Sequence, residues 1–68
     1  MLIKKSITIK KHRTSISLEK EFWNALEIIA IQKSSTIERI ISDIDLYRNT
    51  SLASSTRVFI LQYFLQQS

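Results

Sequence analysis

The chain contains no cysteine, no glycine and no proline, and His12 is its only histidine. The absence of cysteine excludes disulfides and thiolate metal sites, and one histidine cannot form a metal cluster, so we expect neither a metal nor a cofactor. A chain of 68 residues buries only about 60% of the surface that it exposes when unfolded, which leaves a marginal core. Oligomerisation is the remaining way to stabilise so small a domain, and we expect a homodimer.

Long apolar runs and catalytic groupings are also missing. No apolar run approaches the roughly 18 residues that span a bilayer, and residues 1–13 lack the apolar segment of a secretory signal. We therefore expect a cytoplasmic protein that does not bind membranes. The chain has no cysteine nucleophile and no glycine-rich phosphate loop, and Asp43 and Asp45 would point to different sides of a helix. We do not expect an enzyme.

Positive charge is concentrated near the N-terminus. Residues 1–13 carry five basic and no acidic residues, a balance of +5, whereas residues 14–68 carry five basic and six acidic residues, a balance of −1. The basic residues of the first segment are Lys4, Lys5, Lys10, Lys11 and Arg13. This distribution favours a polyanionic partner at one end of the molecule. A solvated, flexible basic arm is the alternative that charge alone leaves open.

The first 18 residues show the alternation of a half-buried strand. Apolar residues occupy odd positions in the first run, at Ile7 and Ile9, and even positions in the second, at Ile16 and Leu18. One straight strand would turn these two pairs to opposite faces. The sequence therefore predicts a turn or bulge near residues 10–12, unless the first run belongs to a separate arm.

Helical spacing of apolar residues follows in three segments. These are residues 19–33, 36–48 and 51–67. The second has two candidate N-caps, Ser35, which forms a capping-box spacing with Glu38, and Thr36. Together with the inner face of the strand, the helical stripes supply a predicted dimer core of Thr14, Ile16, Leu18, Phe22, Trp23, Leu26, Ile40, Ile41 and Ile44.

The strand Arg13–Leu18 has a polar face that suits nucleic acid. A strand this short neither buries its apolar side alone nor leaves both edges unpaired, so two copies paired antiparallel would solve both problems. The opposite face then presents Arg13, Ser15 and Ser17 twice. A two-stranded ribbon fits the major groove of DNA, where each base pair has a distinct pattern of donors and acceptors. The alternative is an ordinary hairpin strand with a polar outer face.

The run His-Arg-Thr-Ser-Ile-Ser-Leu-Glu, residues 12–19, followed by Phe22 and Trp23, resembles the ribbon-helix-helix family, and more narrowly a bacterial subgroup of it. The resemblance implies a mainly α fold with one short β-strand, in an intertwined homodimer whose strands form an intermolecular two-stranded antiparallel ribbon. It places the core at residues 12–48, with a strand at 13–18 and an extra C-terminal helix. Residues 1–11 would be a basic arm or an extra strand.

The resemblance also implies roles for individual residues. Arg13, Ser15 and Ser17 would contact base edges, and the start of the second helix would hold a phosphate on its backbone N–H groups. With the basic residues upstream, the predicted phosphate contacts are Lys4, Lys5, Lys10, Lys11, His12, Ser35, Thr36 and Ile37. The family commonly has a glycine between its two helices, where this chain has Lys33-Ser34-Ser35.

Two functions follow as predictions. The first is sequence-specific binding of double-stranded DNA by a transcriptional repressor, which would be associated with the nucleoid when bound. The second is an antitoxin-like interaction module in which residues 49–68 bind a partner protein.

Overall fold

The computed structural model describes residues 1–67, which form a β-hairpin followed by three helices. The elements are β1 (Leu2–Ile9), β2 (His12–Glu19), α1 (Lys20–Gln32), α2 (Ile37–Tyr47) and α3 (Leu52–Leu65). The strands are antiparallel neighbours in one two-stranded sheet. The helices cover one face of this sheet, and the hydrophobic core lies between them and the hairpin. The order of strand and helices is that of the predicted fold, with a second strand in front.

A two-residue turn at Lys10 and Lys11 joins the strands. Both residues have positive φ angles, 50° and 70°, as a type I′ hairpin turn requires. Ile9 lies opposite His12, and this register sets odd-numbered residues of β1 against even-numbered residues of β2. The change of phase seen in the sequence is therefore explained by a hairpin, because the register brings Ile7, Ile9, Ile16 and Leu18 to one face.

The ribbon was expected to form between two chains with one strand from each. In the single chain that the structure describes, β2 pairs along its full length with β1, and the ribbon between two chains stays a prediction. Within residues 1–67 the second edge of β2 has no strand beside it. The reason is local: a turn of two residues makes the strand that directly precedes β2 the nearest available partner.

The connection between α1 and α2 is a Schellman motif without glycine. Ser34 has φ 51°, and its N–H donates to the Ile31 carbonyl over 3.1 Å. The N–H of Ser35 donates to the Ala30 carbonyl over 2.8 Å. These two bonds satisfy carbonyls that the end of α1 would otherwise leave unpaired.

Thr36 caps α2, so the second of the two candidate N-caps is the one used. Its side-chain oxygen accepts a hydrogen bond from the Arg39 N–H at 3.2 Å. Ser35 cannot take this position because it is part of the Schellman motif that ends α1. Ser51 caps α3 in the same way, with its hydroxyl oxygen accepting from the Ser54 N–H at 3.2 Å.

The core of the single chain draws on every element. Leu18, Leu26, Ile29, Ile41 and Thr56 are the largest fully buried side chains. The buried hydroxyl of Thr56 donates to the Leu52 carbonyl over 2.7 Å, which avoids an unpaired polar group. Of the residues predicted for a dimer core, Ile16, Leu18, Trp23, Leu26, Ile40 and Ile41 are buried within one chain, and Thr14, Phe22 and Ile44 are half-buried.

Side-chain bonds hold the hairpin to the helices. The indole N–H of Trp23 donates to the Ile3 carbonyl over 2.9 Å, which fixes β1 to α1. Arg57 on α3 and Glu19 at the end of β2 form an ion pair with a 3.0 Å separation.

None of the helices in residues 1–67 is long and apolar enough to cross a lipid bilayer.

Candidate nucleic-acid interface

The hairpin presents a polar surface on the side that the helices leave uncovered. Ile7 and Ile9 are buried with Ile16 and Leu18, so the alternate residues of both strands point the other way. Three cross-strand pairs form the centre of this surface. They are Thr8 with Arg13, Ser6 with Ser15, and Lys4 with Ser17. We call these six residues the outer face.

The predicted base-contacting residues all lie on the outer face. Arg13 and Ser15 are exposed, and Ser17 is half-buried. Because they alternate along β2, their side chains share one direction with a spacing of about 6.6–6.8 Å. The structure thus brings Arg13, Ser15 and Ser17 into a single row.

Two residues in the other half of the outer face, Ser6 and Thr8, were not predicted. Ser6 and Thr8 are exposed residues of β1 that lie directly beside Ser15 and Arg13. The change of phase between the two apolar runs could have identified them. A two-residue turn at Lys10 and Lys11 accounts for that change and sets the register of the hairpin. The register then shows which residues of β1 lie beside those of β2.

The five basic residues of the N-terminal segment have separate locations. Lys4 lies on the outer face with Arg13, and Lys10 and Lys11 form the tip of the hairpin. Lys5 is on the opposite side of β1, where its ammonium lies 4.9 Å from the centre of the Trp23 ring. That distance is typical of a cation–π contact. Of the predicted phosphate contacts on the hairpin, Lys5 is therefore the one that packs against a helix side chain.

His12 follows the hairpin tip directly. It is exposed and lies opposite Ile9 in the first pair after the turn. Its position adds a hydrogen-bonding group to the end of the hairpin that also carries Lys10 and Lys11.

The start of α2 is the second predicted phosphate site. The Ser35 N–H is already bonded to Ala30, and the Thr36 hydroxyl oxygen already caps the helix. The first helical N–H groups, those of Ile37 and Glu38, have no carbonyl acceptor within a helix. An anion at this end would therefore meet Ile37 and Glu38, and the Glu38 carboxylate would oppose it.

The base of the hairpin carries a paired acid. A hydrogen bond from its own backbone N–H, and then the Arg57 guanidinium, lower the pKa of the Glu19 carboxyl below its ordinary value. Glu19 is thus ionised at neutral pH, and its charge is opposed by Arg57 at 3.0 Å. The outer face between Glu19 and the tip contains Lys4 and Arg13 and no acidic residue.

The described part of the chain, residues 1–67, contains no group of three or more His, Asp or Glu side chains that could hold a metal ion.

A groove between α2 and α3 is lined in part by Asp43, Tyr47, Arg48 and Phe59. One nearby ion pair, Arg48 with Asp45 at 2.6 Å, is a helix-end contact.

Comparison with known families agrees with this geometry. A family model described as a ribbon-helix-helix domain matches residues 2–64. This chain belongs to the ribbon-helix-helix family. Searches of curated proteins and of solved structures found no match. The predicted membership of the ribbon-helix-helix family is confirmed, and the match from Leu2 to Phe64 places β1 and most of α3 inside the family domain.

Ribbon-helix-helix proteins are generally transcription regulators that bind DNA, or antitoxins. They act as dimers and are typically not enzymes.

Proposed function

We propose that this ribbon-helix-helix protein is a homodimer that binds double-stranded DNA at specific sequences and represses transcription there. The observation that carries the proposal is the exposed row of Arg13 and Ser15, with half-buried Ser17, on a two-stranded ribbon. Paired strands lie about 4.7–4.9 Å apart. A ribbon of that width can enter a major groove that is about 12 Å wide.

Arg13 is the principal reader in this proposal. Its guanidinium can donate two hydrogen bonds to the O6 and N7 atoms of guanine, the commonest specific contact in the major groove. Arg13 takes part in no ion pair within residues 1–67, so its donors are available. Ser15 and Ser17 can donate or accept one hydrogen bond each, and Ser17 has the shorter reach because it is half-buried.

The remaining charges serve affinity. Lys10, Lys11 and His12 at the tip, and Lys4 beside Ser17, would contact phosphates along the groove. Phosphate contacts position the protein and carry no sequence information directly. The N–H groups at the start of α2 would add a contact of the same kind.

A homodimer is supported by apolar surface that one chain leaves uncovered. α3 is apolar on most sides, and a helix of this kind is normally buried all round. Its inner side covers the core with Ile60, while Val58 is 49% exposed and Leu61 is 59% exposed. A second copy of the chain would cover this side. Sedimentation equilibrium at micromolar concentration should give the dimer mass, and a monomer would contradict the proposal.

The test of DNA binding is a selection of bound sequences from random duplexes at a stated salt concentration. We expect a consensus with twofold symmetry, since the protein would bind as a symmetric dimer. Arg13→Ala should weaken binding to the best site by about 1–3 kcal/mol. Arg13→Lys is the matched variant, because it keeps the charge but loses the two-pronged contact.

Arg13→Lys should therefore retain the salt dependence of binding and lose the base preference. Lys10→Ala should have the opposite effect. It should weaken binding to all sequences alike and should reduce by about one the slope of the logarithm of the binding constant against the logarithm of the salt concentration (the salt slope). Arg48→Ala removes a charge far along the chain and serves as the control. If no sequence is enriched, or if Arg13→Ala binds the selected site as the wild type does, the proposal fails.

Binding of a partner protein, as in an antitoxin, is the second candidate. The same exposed side of α3, with Val58 and Leu61, supports it. Truncation at residue 50 is a poor test, because it would also remove Thr56 and Ile60 from the core. Val58→Ser with Leu61→Ser changes only exposed positions. Loss of a stoichiometric copurifying protein, with the dimer intact, would favour this function and would mean that the dimer interface lies elsewhere than on this side of α3. Ser68, the last residue of the predicted partner-binding segment, lies outside the described residues.

A further inference from the structure

We propose that β1 is a phosphate-contacting strand, which flanks the base-reading ribbon and binds the DNA backbone through Ser6 and Thr8. The inference rests on the proposed function, with the ribbon formed by β2 of each subunit as the sequence predicts. Thr8 lies opposite Arg13 and Ser6 lies opposite Ser15, so both residues are on the outer face. Their role would be affinity for DNA of any sequence, and base reading would belong to β2 alone.

The hairpin has two free edges, and the edge of β2 is the better suited to pair with a second copy. β1 carries Lys4 and Lys5 next to each other. Lysines on an edge strand oppose pairing with another strand, since two copies of β1 would bring their charges together. Between its ends, β2 carries one basic residue, Arg13. Pairing through β2 gives a four-stranded sheet with a β1 strand at each side.

The width of this sheet places β1 over the walls of the major groove. Neighbouring strands are about 4.7–4.9 Å apart, so three spacings separate the two β1 strands by roughly 14 Å. The groove is about 12 Å wide. The two β2 strands therefore fit between its walls, and the β1 strands do not. Because the walls are the sugar-phosphate backbones, β1 would face phosphates where β2 faces bases.

The register of the hairpin leaves backbone donors free on the outer edge of β1. Ile9 and His12 flank the two-residue turn and so form a hydrogen-bonded pair. Hydrogen-bonded and non-hydrogen-bonded pairs alternate along an antiparallel ladder. Ser6 and Thr8 belong to the non-hydrogen-bonded pairs, so their N–H groups point away from β2. Backbone N–H groups are among the usual donors to DNA phosphates.

The side chains of Ser6 and Thr8 supply further donors. Both are exposed, and within residues 1–67 neither hydroxyl forms a hydrogen bond. Each residue therefore offers two donors, an N–H group and a hydroxyl, to phosphate oxygens that can only accept. Lys4 and Lys10 lie on either side of them along the chain, with no acidic residue between. Short side chains also let β1 approach the groove wall, which a longer pair would hold away from the bases.

The experiment compares DNA binding by the wild type and by a Ser6→Ala, Thr8→Val variant. Valine keeps the branched shape that suits a strand and has a methyl group in place of the hydroxyl. We expect at least about tenfold weaker binding, from the loss of two hydrogen bonds to phosphate in each subunit. The loss should be the same for the selected site and for an unrelated duplex. The selected sequence and the salt slope should not change, because no base contact and no charge is removed.

Neutral methylphosphonates at single positions of the duplex test the contact directly. Replacing a phosphate that β1 contacts should weaken binding by the wild type. The same replacement should have a smaller effect on the Ser6→Ala, Thr8→Val variant, which has already lost the hydroxyl. Such coupling is the evidence that two groups interact. Additive effects at every phosphate of the site would overturn the inference.

Two control variants have matched substitutions. Ser6→Thr with Thr8→Ser keeps both hydroxyls and should bind as the wild type does. Thr50→Val removes a hydroxyl at an exposed position outside the hairpin and should leave binding unchanged. Circular dichroism and sedimentation equilibrium check that each variant folds and has the same mass as the wild type.

The outcomes separate this inference from the function on which it rests. If the wild type selects no sequence, the proposed function fails and this inference fails with it. If the wild type selects a site and Arg13→Ala loses it, two results overturn the inference alone. The first is a folded Ser6→Ala, Thr8→Val variant that binds as tightly as the wild type. The second is a changed base preference in that variant, which would make β1 a base-reading strand.

Discussion

Replacing Ser34 by glycine should stabilise the protein. Ser34 ends α1 with φ 51°, in the left-handed region where a side chain is unfavourable and glycine is not. Its N–H and that of Ser35 complete the Schellman motif through bonds of 3.1 Å and 2.8 Å. These are backbone bonds, so Ser34→Gly preserves them. The side chain of Ser34 is exposed, and its removal costs no buried contact.

The magnitude is a difference between two opposing effects. A left-handed conformation costs a residue other than glycine roughly 1–2 kcal/mol. Glycine also increases the conformational entropy of the unfolded chain, which takes back about 0.4–1 kcal/mol. The net gain in the free energy of unfolding is therefore about 0.5–1 kcal/mol. For a domain of this size that corresponds to a rise in Tm of roughly 2–8 °C.

Urea denaturation followed by circular dichroism measures this gain, at one fixed chain concentration because dimer stability depends on concentration. Ser34→Ala is the matched control, since alanine keeps the Cβ atom and should not be stabilising. Ser35→Gly is the positional control, and it should lower stability because Ser35 is not among the residues with positive φ. Equal stability of Ser34→Gly and Ser34→Ala would refute the reasoning.

Three further predictions concern the hairpin. Lys10→Asn with Lys11→Gly should raise the free energy of unfolding by about 1 kcal/mol, because Asn-Gly is the preferred type I′ turn, and should reduce the salt slope of DNA binding. Trp23→Phe should lower the free energy of unfolding by about 1 kcal/mol through loss of one hydrogen bond, as measured by urea denaturation. Because the pKa of Glu19 is lowered in the folded chain, its stabilising contribution is present above its ordinary pKa and is lost as the pH falls through the folded value. Arg57→Gln should raise that pKa in an NMR titration, and an unchanged pKa would show that the ion pair is not formed in solution.

The sequence carried most of the fold because its apolar spacing is regular. Steps of three and four residues in the three later segments predicted three helices, and alternation predicted the strand before them. The change of phase between Ile9 and Ile16 does not fit a single straight strand. It required a turn, and the structure has that turn at Lys10 and Lys11. The ambiguity between an arm and a strand arose because neither lysine is a usual turn residue.

Other features depend on contacts between distant residues and have no local signal. The bond from Trp23 to the Ile3 carbonyl joins residues twenty positions apart. The side of α3 that faces the core could not be chosen from its sequence, because apolar residues surround that helix. The packing buries Thr56 and Ile60 and leaves Leu61 exposed. The six-residue outer face required the register of the hairpin, and so Ser6 and Thr8 were not predicted.

Residues other than glycine have positive φ at the hairpin tip and at the end of α1, and we expect glycine to have different effects on DNA binding at these two places. Lys10, Lys11 and Ser34 all have positive φ, and at about 1–2 kcal/mol each their strain is a large fraction of the 5–15 kcal/mol by which domains are typically stable. At the tip, Asn-Gly would relieve the strain but would remove two positive charges from the part of the ribbon that we propose lies near phosphates. We expect backbone strain to persist where the strained residues also serve a function. The proposal gives Ser34 no such function, so Ser34→Gly should raise stability and leave DNA binding unchanged. Lys10→Asn with Lys11→Gly should raise stability and weaken binding, and the contrast between the two variants separates strain retained for function from strain that is not.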